Sequence, residues 1–319
     1  MRRLRVVVLA SALALVSAAC TAAVSPTPSA TPPSSAPAER PSPTLRPASP
    51  SPALSPAPTL PLTPTEDVLY EPLPRAAFSG PTTVDNPWLP LVPGMRFVYR
   101  GSINDGGRVP HSVAFTVTDL TKVVDGIRAV VVYDQDVTDG EIVEREIAFF
   151  AQDDEGNVWL LGEHPEEYED GEFAAAPTWI SGAADAHAGI LIRAEPMFGP
   201  SWPQGWGPSV GWTDRARVFE IGSTTCVPAG CFEDVLVIDE FNPEEPDAHQ
   251  LKYYAPGIGN VRVGWAGTLE EDREILELLG RRRLAGADLT AIDDEALRLE
   301  RHAYQVSDVY VATEPMARG

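Results

Sequence analysis

Short runs of alternating apolar residues, cut at close intervals by Asp-Gly and Gly-Asn turns, constrain this chain to an antiparallel β meander. Residues 112–118 alternate through Val113, Phe115 and Val117, and residues 128–133 are rich in valine. Thr138-Asp139-Gly140 then turns into 141–151, and Asp153-Asp154-Glu155-Gly156-Asn157 turns into 158–162. A further turn at Glu169-Asp170-Gly171 follows Tyr168. Runs this short, joined by residues that tolerate turn backbones, predict hairpins rather than crossovers. The series begins at 96–100 after Pro93-Gly94, and strands resume at 217–221, 235–241, 250–254 and 261–265. Residues 274–284 read equally as helix or strand. Residues 293–304 carry Ala296, Leu297, Leu299 and Ala303, which predicts a C-terminal helix with Asp293 as its N-cap.

The N-terminus is of another kind. Arg2, Arg3 and Arg5 precede an apolar or small run over 6–19, followed by Cys20. A basic start, a short apolar stretch and small residues before the cut describe a bacterial secretion signal. The run is shorter than the roughly 20 apolar residues that a membrane-spanning helix needs. Its Ser-Ala-Ala-Cys ending resembles a lipobox, with Cys20 as the lipidated first residue. Ser17 stands where leucine or valine is usual, so ordinary cleavage after Ala19 is the alternative. From Ser25 to Pro64 proline recurs about every third position among Ser, Thr and Ala. Proline fixes φ and removes a donor, so this stretch reads as a disordered, semi-stiff tether. The expected organisation is a signal peptide at 1–19, the Cys20 anchor and tether at 20–64, and one β-rich domain at 65–319. The expected location is the outer face of the cytoplasmic membrane or the cell envelope, held by the lipid; a secreted soluble form is the alternative.

The chain's net charge of −22 includes +4 from residues 1–64, which leaves −26 from Thr65 onward. So acidic a domain is repelled by nucleic acid and anionic headgroups. Nucleic acid is therefore excluded as a partner, and the membrane is met through the anchor. Cys226 and Cys231 lie five apart in an exported chain, where thiols oxidise, and pairing them leaves Cys20 for the lipid. Directly opposed residues of a hairpin lie within disulfide range, so a structural bridge is expected.

Several phrases carry a resemblance. They are Asp85-Asn86-Pro87-Trp88-Leu89-Pro90-Leu91, Gly156-Asn157-Val158-Trp159, Val227-Pro228-Ala229-Gly230-Cys231-Phe232, Lys252-Tyr253-Tyr254-Ala255-Pro256-Gly257-Ile258-Gly259 and Ser307-Asp308-Val309-Tyr310. Over about residues 84–312 they resemble an uncharacterised group of exported, lipoprotein-like bacterial proteins common in actinobacteria. The third and fourth phrases also resemble half-barrel proteins of the lipoprotein-carrier type. That likeness implies a curved antiparallel sheet or half-barrel with a concave apolar face. The expected fold is thus mainly β (α+β), a single domain on such a sheet with a C-terminal helix.

Signals for chemistry are sparse. Gly207-Pro208-Ser209-Val210-Gly211 matches Gly-x-Ser-x-Gly but lacks the preceding strand and following helix that a nucleophile elbow needs. His111, His164, His187, His249 and His302 fall in no zinc-binding spacing. Asp134, Asp136 and Asp139 resemble the start of a calcium loop, with the glycine one place late and strands as flanks. No catalytic residue, metal ligand or cofactor is assigned. Residues 177–212, rich in Pro, Gly and Trp, read as a long crossover or binding loop. Trp179, Phe198, Trp202, Trp206 and Trp212 in this stretch are the candidate ligand surface, because an indole offers a flat apolar face and one donor. The functional expectation is a non-enzymatic envelope protein holding an apolar ligand, a lipid, a glycan or another envelope component on the concave face. A scaffolding lipoprotein without a pocket is the alternative, and a secreted hydrolase stands behind both.

Overall fold

A computed structural model describes residues 68–104, 107–245 and 247–319. The signal peptide, Cys20, the tether and the expected domain start at Thr65 lie outside the described residues. Five hairpin-linked strands come first: β1 (Met95–Asn104), β2 (Arg108–Val124), β3 (Ile127–Thr138), β4 (Glu141–Gln152) and β5 (Val158–Glu169). Short pieces follow: β6 (Glu172–Ala175), β7 (Trp179–Ile180), β8 (His187–Ile192), β9 (Trp202–Pro203) and β10 (Gly205–Trp206). A second meander comprises β11 (Arg215–Val227), β12 (Gly230–Phe241), β13 (His249–Ala255), β14 (Gly259–Ala266) and β15 (Ile275–Arg283). Helices α1 (Ala287–Val306) and α2 (Asp308–Val311) and the short β16 (Ala317–Arg318) complete the chain.

All strands join one sheet, ordered β10-β8-β5-β4-β3-β2-β1-β15-β14-β13-β12-β11-β9, with β6 and β7 on β5 and β16 on β2. Every pairing is antiparallel. The turns form as their residues dictate. Asp125-Gly126, Asp139-Gly140 and Asp170-Gly171 each place two successive residues at positive φ, the backbone of a two-residue turn whose twist matches the strands. The ambiguous 274–284 stretch is β15, which lies between β1 and β14 and joins the two meanders.

The two ends of the strand order are the two halves of one segment, residues 202–206. Gly205 and Trp206 pair with Ala188 and His187, while Trp202 and Pro203 pair with Ala216 and Arg215. The sheet therefore curls, and one of its faces looks inward. The 177–212 stretch is thus more than a crossover, because it supplies β8, whose residues 188–192 are all buried, and the segment that brings β8 to β11. At this join the backbones nearly touch: a Cβ on Gly189 would lie 2.3 Å from the carbonyl carbon of Gln204.

The outer face of β2–β4 is covered by α1, through Asp293, Ala296, Leu299, Glu300 and Ala303 at helical spacing. Asp293 is not the N-cap. The helix begins at Ala287, after Gly286, and Asp293 lies buried a turn and a half further on. There its carboxylate accepts hydrogen bonds from the Asp119 amide at 3.3 Å and from Arg318 at 2.7 Å. The sequence 287–292 continues as helix, so the cap signal at Asp293 is a buried acceptor serving the sheet.

Beneath this helix Lys122 of β2 is fully buried. Its ammonium donates to Glu300 Oε1 at 2.9 Å and to the Glu314 carbonyl at 2.6 Å, and sits 4.3 Å from the centre of the Tyr310 ring. Glu300 in turn accepts the Met316 amide at 2.9 Å. Burial lowers the Lys122 pKa and the neighbouring Glu300 opposes that shift. Across the sheet, Cys226 and Cys231 face each other at the β11–β12 turn, with Cα atoms 4.0 Å apart and a disulfide between them.

Candidate functional site

The inward face carries a cavity walled by Leu89, Leu91, Phe97, Phe115, Phe150 and Tyr254. Its residues come from β1, β2, β4, β8, β12, β13 and β14, from both meanders, so it is the enclosed face of the curl. The cavity is small, with a volume of about 30 Å³. At about 10–15 Å³ per water centre, two or three waters fit inside.

The roof is built by Asp85-Asn86-Pro87-Trp88-Leu89-Pro90-Leu91. Asn86 is buried; its Oδ1 accepts the Trp88 and Leu89 amides at 2.8 and 3.2 Å, and its Nδ2 donates to the Gly156 carbonyl at 2.8 Å. Gln152 Oε1 accepts the Asp85 and Asn86 amides at 2.9 and 2.8 Å. The Gly257 amide donates to the Pro87 carbonyl at 2.7 Å. Three of the phrases that carry the resemblance (85–91, 156–159 and 252–259) therefore meet here. Their prolines and glycines shape turns, and these turns lay Leu89, Leu91, Tyr254 and Ile258 against the cavity.

A few polar groups converge on the apolar space. Tyr99 Oη donates to the Asn260 carbonyl at 2.9 Å. Gln204 Nε2 donates to Glu240 Oε1 at 2.9 Å and to the Leu191 carbonyl at 3.1 Å. Lys252 Nζ stands 4.0 Å from Glu240 Oε2. Burial pushes the Glu240 pKa up, against the pull of Lys252 and Gln204. Asn260 Oδ1 accepts the Arg262 amide at 3.0 Å, which fixes the orientation of its side-chain amide. Asn260 Nδ2 and Trp212 Nε1 are both buried and have no protein partner.

Further along the same face runs a row of carboxylic acids on adjacent strands: Asp134 and Asp136 on β3 opposite Glu146 and Glu144 on β4, then Glu163 on β5. All five are buried. Burial raises the pKa of Asp134, Glu144, Glu146 and Glu163 well above the ordinary carboxylate range, and the neighbouring carboxylates raise them further. Glu167 is pushed up to about 7, first by burial and then by Glu169. His111 faces the row, with Nε2 3.0 Å from Glu274 and 3.8 Å from Asp136. Trp179 Nε1 donates to Glu163 Oε1 at 2.7 Å.

These acids make stability depend on pH. Their folded pKa values lie above their unfolded ones, so the contribution is complete below about pH 4 and declines as pH rises, while the unfolded chain releases protons that the fold retains. Each such group removes about 1.4 kcal/mol per pH unit within its window. Urea midpoints should therefore fall from pH 5 to pH 8, and a Glu144→Gln, Glu146→Gln double variant should flatten that fall and unfold later at pH 8. A midpoint that rises with pH, or a double variant less stable at pH 8, would refute this assignment. Glu166, held at about 2 by His164, Tyr168 and His302 in spite of its burial, acts in the opposite sense and only below its ordinary value of 4.5.

The sequence candidates fall in several places. Trp212 lines the cavity and stacks on Trp179, ring centres 5.8 Å apart. Trp202 is buried in the closing segment, its indole donating to the Ile190 carbonyl at 2.9 Å, and Trp206 is half-buried. Phe198 is exposed, as is Met197 beside it. Ser209 is exposed in the tight turn bridged by Gly207 and Trp212. Asp134 and Asp136 belong to the buried row, while Asp139 is in the β3–β4 turn. Among the described residues, no group of three or more His, Cys, Asp or Glu is arranged to hold a metal ion. Sequence reasoning missed Tyr99, Gln204, Glu240 and Asn260. The available signal was the polar residue at an inward position of an apolar strand, as at Glu240 and Lys252, but it names a face only once the register is known.

No protein-family model matches the chain, and no curated protein matches it. Among solved structures, it is similar to a candidate exported protein with a YmcC-like fold from Bacteroides fragilis, at 15% identity and a TM-score of 0.35. That match covers 61% of this chain and 99% of the other. A candidate lipoprotein from Parabacteroides distasonis is similar at 12% identity and a TM-score of 0.34, covering 61% of this chain and 98% of the other. Likeness of this degree carries no argument about the present chain, whose architecture rests on its own register and turns.

Proposed function

We propose that this is an exported, lipid-anchored binding protein of the cell envelope that takes an apolar ligand into the inward face of its curled sheet. The observation that carries the reading is the cavity itself: an apolar space roofed by 85–91 and crossed by few polar groups, the composition typical of small-molecule sites. Its inner room is small, so the ligand is slender, with one end inside and the remainder outside. Export and anchoring rest on Arg2 to Cys20.

The test is native mass spectrometry of the processed chain, exported by its own host and purified without detergent. A reproducible extra mass, lost on denaturation and absent from a Leu91→Trp variant that fills the cavity, is the expected result. Bare polypeptide from the wild type, with no uptake of added methyl laurate, would overturn the reading and leave surface scaffolding in its place.

A further inference from the structure

Resting on that reading, we infer that the ligand presents an uncharged hydrogen-bond acceptor, such as an ester or amide carbonyl, to Trp212 and Asn260, and that free acids are rejected. Two buried donors without partners line one small apolar space: the Trp212 indole N–H and the Asn260 side-chain amide. A buried donor left unpaired costs free energy that a bound acceptor restores. The Asn260 amide cannot turn to remove its vacancy, because its oxygen already serves the Arg262 amide. Gly205 lets the backbone pack close to the Trp212 ring, since a Cβ there would lie 2.5 Å from Trp212 Nε1.

The charge of the ligand follows from what surrounds these donors. Among the described residues that line the cavity there is no lysine, arginine or histidine, whereas Glu240 lines it, one oxygen accepting from Gln204 and the other 4.0 Å from the inward Lys252. Asp134 and the acid row occupy the same face. An anionic headgroup would lose its water and meet the Glu240 carboxyl on the lining. An ammonium headgroup would carry donors only and leave Trp212 and Asn260 unpaired. A neutral carbonyl satisfies both donors without adding charge.

Methyl laurate and sodium laurate share a chain and differ at the head, so they isolate this claim. Titrated into the full processed protein at pH 8 and read by tryptophan fluorescence and calorimetry, the ester should bind at least about tenfold more tightly than the acid anion. Trp212→Phe should narrow that ratio by weakening the ester, and Glu240→Gln should narrow it by strengthening laurate. The wild-type ratio tests the inference even if a variant folds poorly. Laurate binding as tightly as the ester would overturn the neutral-acceptor assignment and leave the apolar-ligand reading intact. Failure of both probes to bind would bring down that reading and this inference with it.

Discussion

Replacing Lys122 with methionine should destabilise the protein by about 3–5 kcal/mol, because it leaves Glu300 buried as a charge without its partner. Lys122 holds the C-terminal element to the sheet from several directions. Its ammonium reaches Glu300 on α1 and the Glu314 carbonyl beyond α2, and lies against the Tyr310 ring. For a domain of this size that loss corresponds to a melting point lower by about 10 °C. The double variant Lys122→Met, Glu300→Gln should recover more than half of it, since a neutral amide still accepts the Met316 amide while no charge remains buried. Thermal and urea unfolding of the two variants decide the matter. A single-variant loss below about 1 kcal/mol would mean that the pair contributes little, and a double variant no better than the single would assign the loss to packing instead of charge.

Gly189→Ala should be at least as costly, about 3 kcal/mol or more, by the mechanism of steric overfilling at a site that cannot give way. The atoms that its methyl group would strike are backbone: Gln204 C and Gly205 N, both at 2.3 Å. Relief requires β8 to part from the 202–206 segment, and the sheet is joined to β11 through that segment. Gln204 and Trp212 would then lose their positions at the cavity, so ligand retention should fall together with stability. Gly280→Ala in β15 is the control, because no atom lies within 4 Å of its added Cβ, and it should change stability by less than about 0.5 kcal/mol. If the Gly189 variant unfolds at the same urea concentration as the control, the close approach at the join does not hold the sheet together.

Much of the architecture was legible before any coordinates. The Asp-Gly turns and alternating runs placed β1 to β5 and β11 to β14, since a hairpin is a local object whose turn chemistry and side-chain alternation lie within a dozen residues. The Cys226–Cys231 bridge belongs to the same class, because its partners face each other across a two-residue turn. Three things were not local. β8 is short and buried on all sides, so its run of Ala188, Gly189, Ile190, Leu191 and Ile192 has no alternation to betray it. Residues 274–284 had a pattern compatible with either state, and pairing with both β1 and β14 settled them as strand. Asp293 looked like a cap because a short acceptor before an apolar run usually is one, whereas its true partners, the Asp119 amide and Arg318, lie far away in the sequence.

The same division governs the site. By itself the sequence determined an antiparallel meander, a disulfide at one turn and a strongly acidic domain, all properties carried by neighbouring residues or by summed charge. Only the tertiary structure decided that phrases 85–91, 156–159 and 252–259 share one roof. It likewise decided that Asp134, Asp136, Glu144, Glu146 and Glu163 form one buried row, and that Trp212 and Asn260 line the same cavity without partners. The physical reason is that strand register sets which face each side chain takes, while the curl closed by residues 202–206 sets which face is enclosed. Both depend on contacts between residues distant in the chain.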